Sequence, residues 1–512
     1  GNKRPGAAGK KIRCAFIATL PRPPAGCTLN PMKRPLFPLI LLRVVIGLLL
    51  LAAGPTASAQ IEITAVETTG ALEWTNSQPN LSELTVEWTA SLTSGIWRSS
   101  WDGLAAIPAT ASTYRVDIPM AYRVIARTNV LRSQWTVLFY WMADNELEPD
   151  FVTKFLDLAQ WTSDTNVQLV VQFARNGQDA RHGNWHGCER FVLTHGMVPT
   201  QDNAVADWGD GQGGRLVNMA DPATLADFLD WAQLRHPAGR TALFIGNHGF
   251  GWTGFGISWS YAKSFMYVPD LARVLREARA PVDCLFFDAC LMNMAEVVTE
   301  LGDSRASHLL ASETYGQTDW PYGWLLEGLQ ASPGWSPLEF VSDVNERLWT
   351  YYSVSNVVPG ITLCTSDLSL APAFASNTAR FVAGVLDTNI PIGEVRTRAT
   401  DVMASIDNLL IVRRMGSDWN DIAHGLAVYF PLKDGLATPQ SFSEYTFRRT
   451  RFAFDAGWRD LLDAYYDPMS HPPFHGELIS VRAAVTNYLD YGSDEHIDLT
   501  EFLRGFLGSD PI

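Results

Sequence analysis

Cysteine is scarce in this chain. Of 512 residues only six are cysteine, and two of those fall within the first 59. The other four, Cys188, Cys284, Cys290 and Cys364, are too few for a disulfide framework, although they leave room for one bridge. Positive charge is scarce as well. Lys and Arg number 39 against 54 Asp and Glu, and nine of the basic residues precede residue 60, where no acidic residue occurs. Beyond that point 30 basic side chains face 54 acidic ones, a formal charge near −24. This balance argues against nucleic acid and anionic membranes as partners and suits a soluble exported protein. Long apolar runs are missing too. After Arg43 only ten uninterrupted apolar residues follow, half of the ~20 that a spanning helix needs, so no stable membrane span is expected. There is no HExxH, no GxSxG and no phosphate loop, which removes support for metallopeptidase and serine hydrolase chemistry. No repeat recurs at a period of about 20 to 50 residues.

What is present divides into segments. From Met32 the text MKRPLFPLILLRVVIGLLLLAAGPTASAQ has a positive start, an apolar stretch and the small-residue site Ala57-Ser58-Ala59. It reads as a secretory signal peptide over 32–59, with 1–31 as an over-extended start and a secreted, periplasmic or cell-surface destination. Residues 60–130 alternate polar and apolar over short runs separated by turn residues, which predicts a small β module. Its Trp74, Trp88, Trp97 and Trp101 suit either a binding platform or the core of a small sandwich.

From Trp135 near-continuous apolar strands alternate with helical patterns: WTVLFYWMA, VQLVVQFA, TALFIGN, DCLFFDA and HLLASE, with ITLCTSDLS and HGLAVYFPL further on. The fold class expected for 135–466 is therefore α/β, a mostly parallel sheet with helices on both faces. A proline-containing linker, 467–477, separates a short helical tail, 478–512. Within the tail DYGSDEHIDLTE places Asp490, Asp494, Asp498 and Glu501 at positions 1, 5, 9 and 12 of an EF-hand-like frame, a degenerate candidate for calcium. His182, His186 and Cys188 in RHGNWHGCER have a spacing that a metal could use, but no second ligand pair accompanies them and the segment reads as a polar loop.

The stretch DCLFFDACLMNMAE, 283–296, carries two cysteines with different prospects. Cys284 lies inside the strand, where apolar burial raises a thiol's pKa and keeps it inert. Cys290 ends the strand, ahead of a helix expected near Leu291 whose N-terminus would favour a thiolate. His248 ends another strand and enters the turn HGFGWTGFG, on the edge of the sheet where functional groups gather. Together they could act as nucleophile and acid–base, with the N–H groups of Gly249 and Cys290 forming an oxyanion hole.

The blocks WTVLFYWMADNELE, GNHGFGW, FFDACLMNMAEVVTEL, ASETYGQTDWPYGW and HGLAVYFP, in that order, resemble the clostripain-like cysteine peptidases, within the wider group of caspase, legumain and gingipain-like folds. The resemblance implies a caspase-like fold, His248 and Cys290 as a catalytic dyad, and endopeptidase action through an acyl-enzyme. It also implies substrates with Arg or Lys at P1, read by Asp288 at the floor of the S1 pocket, with Asp319 as a second candidate and Trp320 and Tyr322 as wall or packing. Self-cleavage between the His and Cys blocks is implied as well. Lys263 is the candidate there, while 175–215 offers Arg175, Arg181, Arg190 and Arg215. No cofactor is implied for the chemistry; a calcium dependence of the family cannot be placed on core residues. Two alternatives stand beside this reading: a catalytically inactive peptidase-like binding or adhesion protein, and a related cysteine peptidase with a different P1 preference.

Overall fold

The computed structural model describes residues 61–66, 71–76, 81–89, 107–108, 113–115, 121–128, 132–205, 208, 216–316, 319–355, 360–419, 422–432, 440–448, 450–467, 474–485 and 496–507. The expected leader, most of the linker, Arg215, Asp490 and Asp494 lie outside them. Within 61–128 are six strands, β1 (Ile61–Val66), β2 (Ala71–Asn76), β3 (Leu81–Thr89), β4 (Ile107–Pro108), β5 (Thr113–Arg115) and β6 (Ala121–Thr128). They form two antiparallel sheets, β1-β2-β5 and β4-β3-β6, and Trp74 is buried.

An eight-stranded sheet forms the rest of the framework, in the order β16-β15-β14-β13-β10-β7-β8-β9. Its members are β7 (Ser133–Ala143), β8 (Val167–Asn176), β9 (His186–Val192), β10 (Ala238–Gly246), β13 (Cys284–Asp288), β14 (His308–Ala311), β15 (Thr362–Asp367) and β16 (Leu410–Met415). The run from β8 to β14 is parallel, and β9, β15 and β16 add antiparallel edges. A parallel sheet needs both faces covered, which is why its strands read as unbroken apolar runs. Successive side chains point to opposite faces. Leu138, Tyr140, Met142, Leu243, Ile245, Leu285 and Phe287 therefore enter one core. Val137, Phe139, Trp141, Ala242, Phe244, Cys284 and Phe286 enter the other. Across the middle strands Phe139, Phe244 and Phe286 stack, with centroids 5.0 and 4.0 Å apart.

The second core is closed by α1 (Glu148–Leu158), α5 (Tyr322–Ala331) and α6 (Pro337–Ser355). The first is closed by α2 (Pro222–Arg235), α3 (Val268–Glu277), α4 (Ala295–Leu301), α7 (Ala371–Leu386) and α8 (Ile392–Leu409). Helix α2 starts as its sequence suggests, with the Asp221 carboxylate accepting from the Ala223 N–H. Helices α9 (Gln440–Arg448), α10 (Arg451–Asp455), α11 (Trp458–Tyr466), α12 (His475–Ala484) and α13 (Leu499–Leu507) complete the chain. Among the described residues no helix is long and apolar enough to cross a membrane.

Three local expectations change. The segment read as a polar loop around His186 and Cys188 is the edge strand β9, which pairs with β8 and turns Cys188 into the core. The run 424–432 yields only β17 (Ala427–Tyr429), which does not join the large sheet. It pairs instead with β18 (His496–Asp498), so the tail is tied to the α/β body by a ladder as well as by helices. The helix expected near Leu291 begins at Ala295. Cys284, Cys290 and Cys364 are free thiols.

Candidate active site

In a doubly wound sheet the ligand crevice opens beyond the carboxyl ends of the strands, where the strand order reverses. Here β8 lies on one side of β7 and β10 with β13 on the other, so the crevice falls at the ends of β7, β10 and β13. Register then places the two reactive side chains. Gly246 pairs with Asp288, so His248 and Cys290 each stand two residues beyond the same rung. Both line one small cleft of about 40 Å³, with Asp150, Lys154, Asn247, Asp288 and Gly316.

Cys290 sits on a turn, not under a helix. Leu291 takes a left-handed backbone, φ 63°, and its N–H donates to Thr314 O at 2.7 Å. The Asn293 N–H donates to Ser312 O at 2.9 Å. These amides are bound to the β14 side of the sheet, and the left-handed Leu291 with the extended Met294, φ −115° and ψ 154°, keeps a helix from starting before Ala295. A left-handed leucine stores about 1–3 kcal/mol, which the surrounding structure must offset. The helix-terminus argument for a preformed thiolate therefore falls. Burial pushes the Cys290 thiol up, the Asp288 charge adds to that, and the Gly316 N–H, 3.3 Å from Sγ, opposes them. Cys284, buried within β13, is driven well up by burial.

His248 is held from the β7 end. Asn145 Nδ2 donates to Asn247 Oδ1 at 3.2 Å and to Ile257 O at 2.8 Å. Asn247 Oδ1 in turn accepts the His248 N–H, and its Nδ2 donates to Met142 O. The imidazole Nε2 lies 2.7 Å from Glu146 Oε1. Gly249 packs so closely that a Cβ there would run into the carbonyl oxygen of Cys290. Among the described residues neither the Gly249 nor the Cys290 N–H donates to a protein acceptor.

Asp288 follows from alternation along β13, which turns it onto the same face as Cys284 and Phe286. It is buried, and its Oδ2 takes both the Lys154 ammonium and the Tyr322 hydroxyl, the latter at 2.9 Å. Burial pushes its carboxyl up; Lys154 and Tyr322 pull it down, and Asp319 adds to the rise. Removing one partner of such a buried pair typically costs about 3–5 kcal/mol. Asp319 is exposed and bonded to Tyr351, outside the cleft. Trp320 is buried and lines a neighbouring void beside Gly316.

The remaining candidates are scattered. Lys263 is exposed in the hairpin between β11 (Phe255–Ser258) and β12 (Ser264–Met266), where Ala262 and Lys263 are both left-handed, φ 55° and 58°. Arg175 and Arg190 are buried and paired with Glu148 and Asp227, so burial withdraws them as cleavage sites; Arg181 is exposed and paired with Asp179. Asp498 is buried: Oδ2 accepts the His424 N–H at 2.8 Å, and Oδ1 accepts the Glu501 N–H at 2.6 Å. Glu501 pairs with Arg504. Among the described residues no three His, Cys, Asp or Glu converge as metal ligands. The residues that the sequence did not single out are Asn145, Glu146, Lys154, Asn247 and Gly316. The run ADNELE after β7 carried the only signal for the first two.

Comparison with known proteins adds the following. The model of the clostripain family matches residues 200–463, just over half of the chain, including His248, Asp288 and Cys290. Clostripain from Hathewaya histolytica is 25% identical over 217 residues, which are 37% of this chain and 41% of that protein. The chain thus spans less than half the length of that relative. A secreted C11 cysteine protease from Bacteroides thetaiotaomicron, solved with an irreversible peptide inhibitor, covers 64% of this chain and all of its own, with 19% identity and a TM-score of 0.48. An inactive zymogen C11 protease from Parabacteroides distasonis covers 64% of this chain and 98% of its own, with 17% identity and a TM-score of 0.46.

Proposed function

The chain belongs to the clostripain family of cysteine peptidases, and on that footing we propose that it is an exported endopeptidase that cleaves after arginine or lysine. The observation that carries this reading is the convergence of Cys290, His248 and Asp288 on one cleft at the switch point of the sheet. The resting sulfur is a thiol, so its proton passes to His248 as Sγ attacks the scissile carbonyl. The tetrahedral oxyanion is received by the otherwise unengaged N–H groups of Gly249 and Cys290. His248 then gives the proton to the leaving amine, and water hydrolyses the thioester by the same route. This chemistry uses no cofactor. Glu146 acts as a positioning residue that holds the imidazole by Nε2.

Asp288 selects the basic side chain, with the Asp319 charge acting on it from outside the cleft. Leader removal at Ala59 precedes activity, and internal cleavage after Lys263 follows folding. That cleavage requires the left-handed tip of the hairpin to open into an extended strand. One observation favours a different P1 preference as the second reading, namely that Lys154 already holds Asp288.

The test is hydrolysis of fluorogenic peptides ending in Arg, Lys, Asp and Asn by the purified chain and its Cys290→Ala variant. Turnover of the Arg and Lys peptides, lost in the variant, is expected. No turnover of any peptide, with or without calcium and after limited proteolysis, would overturn the enzyme reading. Preference for Asp or Asn would keep the dyad and remove the role given to Asp288.

A further inference from the structure

Lys154 is the only lysine or arginine lining the cleft among the described residues. It follows Phe151 by three positions on α1, so both side chains project from one helix face. Its ammonium is 4.3 Å from the centre of the Phe151 ring and 5.8 Å from that of Tyr322, and it is paired with the Asp288 carboxylate. The Tyr322 hydroxyl donates to the same carboxylate oxygen. A carboxylate partner with aromatic rings beside the cation is what an ammonium or guanidinium needs for recognition in a desolvated site. The cage stands two residues from the nucleophile, and a side chain of this protein fills it.

We infer that Lys154 is a built-in competitor for the basic P1 side chain, and that a substrate lysine or arginine binds by displacing its ammonium from Asp288. This rests on the reading of Asp288 as the P1-selecting carboxylate. The exchange is feasible because lysine carries a compact charge on a flexible stem. A second acceptor is also at hand. Asp150 is exposed at the cleft, four residues before Lys154 on the same helix face, and receives the displaced ammonium. Because one ion pair is broken as another forms, basic P1 residues gain less over neutral ones of the same length than an unoccupied Asp288 would give them. Lys154 therefore sets how strongly the enzyme discriminates, and Lys154→Met frees the cage while keeping an unbranched apolar stem.

The test compares peptides with lysine or norleucine at P1 on wild type, Lys154→Met, Asp288→Asn and the double variant. Lys154→Met is expected to raise the lysine-over-norleucine ratio of kcat/KM by about tenfold, chiefly through KM; the double variant returns it to the level of Asp288→Asn. Millimolar n-butylamine is expected to raise the thermal midpoint of Lys154→Met and not that of wild type or the double variant. Should Lys154→Met fold only with amine present, that is the same result in stronger form. A variant that shows neither a rise in the ratio nor stabilisation by amine, or that fails to fold with amine as without it, overturns the proposal. Loss of the P1 reading is separate: wild type and Asp288→Asn would then show the same ratio, while amine binding by Lys154→Met still reports on the cage.

Discussion

Gly249 shows how little room the site leaves a single atom. Its Cα lies against the Cys290 carbonyl, so an added Cβ must push the two loops apart. Those loops carry the two N–H groups assigned to the oxyanion. Gly249→Ala is therefore expected to lower kcat by about 10²–10³, the range seen when one oxyanion donor is lost. KM should move little, and iodoacetamide should still alkylate Cys290. A variant with kcat near wild type would put the oxyanion elsewhere. At this scale the sequence told most where position follows strand ends. The places of Cys290 and His248 were legible because an apolar run stops beside each, and the burial of Cys284 because its run continues. Glu146 and Lys154 were not, because only the β7–β10–β13 order brings the loop and helix after β7 to the rung shared by Gly246 and Asp288. The thiolate argument failed for a local reason: Leu291 is left-handed and Met294 is extended, which delays the helix to Ala295 and which no helical pattern in LMNMAEVV announces.

The long parallel strands were readable as elements because burial on both faces leaves a continuous apolar signature, and the short ones were not. β17 and β18 are three residues each, too short for any period to register, and β9 opens on a histidine and a glycine that hide its alternation. Their pairing changes what the acidic tail does. Asp498, expected as a calcium ligand, closes the β17–β18 ladder and caps α13: it accepts from the backbone of His424 on one side and of Glu501 on the other. Behind it Phe502, Leu503 and Phe506 are buried in the core shared with α8. Asp498→Ala loses a cap worth about 1 kcal/mol and leaves a buried donor unpaired at about 1–3 kcal/mol. A destabilisation of about 2–4 kcal/mol is expected in urea unfolding, equal in calcium and in chelator. A loss that appears only with calcium present would return Asp498 to coordination of the ion.

At the scale of the whole molecule two buried groups set opposing pH slopes, and both meet at Tyr429. Glu296 on α4 accepts from the Tyr429 N–H and the Tyr445 hydroxyl, each at 3.1 Å, yet burial lifts its carboxyl from 4.5 to about 7. His496 lies opposite Tyr429 in the ladder, and burial lowers it from 6.5 to about 4. For Glu296 the folded value is the higher, so its contribution is full below pH 4.5 and is lost as pH rises through about 7. For His496 the folded value is the lower, so its contribution is full above pH 6.5 and is lost as pH falls through about 4. Each shift corresponds to about 3 kcal/mol, so between pH 4.5 and 6.5 the two nearly cancel and the pair leaves stability flat. Single substitutions expose the hidden slopes. Glu296→Gln leaves His496 alone, and its stability relative to wild type should rise with pH across that window by about 1 kcal/mol per unit. His496→Gln should tilt the other way by a similar amount. Urea midpoints at pH 4.5, 5.5 and 6.5 measure both. Profiles parallel to wild type would mean that Glu296 and His496 titrate alike in the folded and unfolded chain.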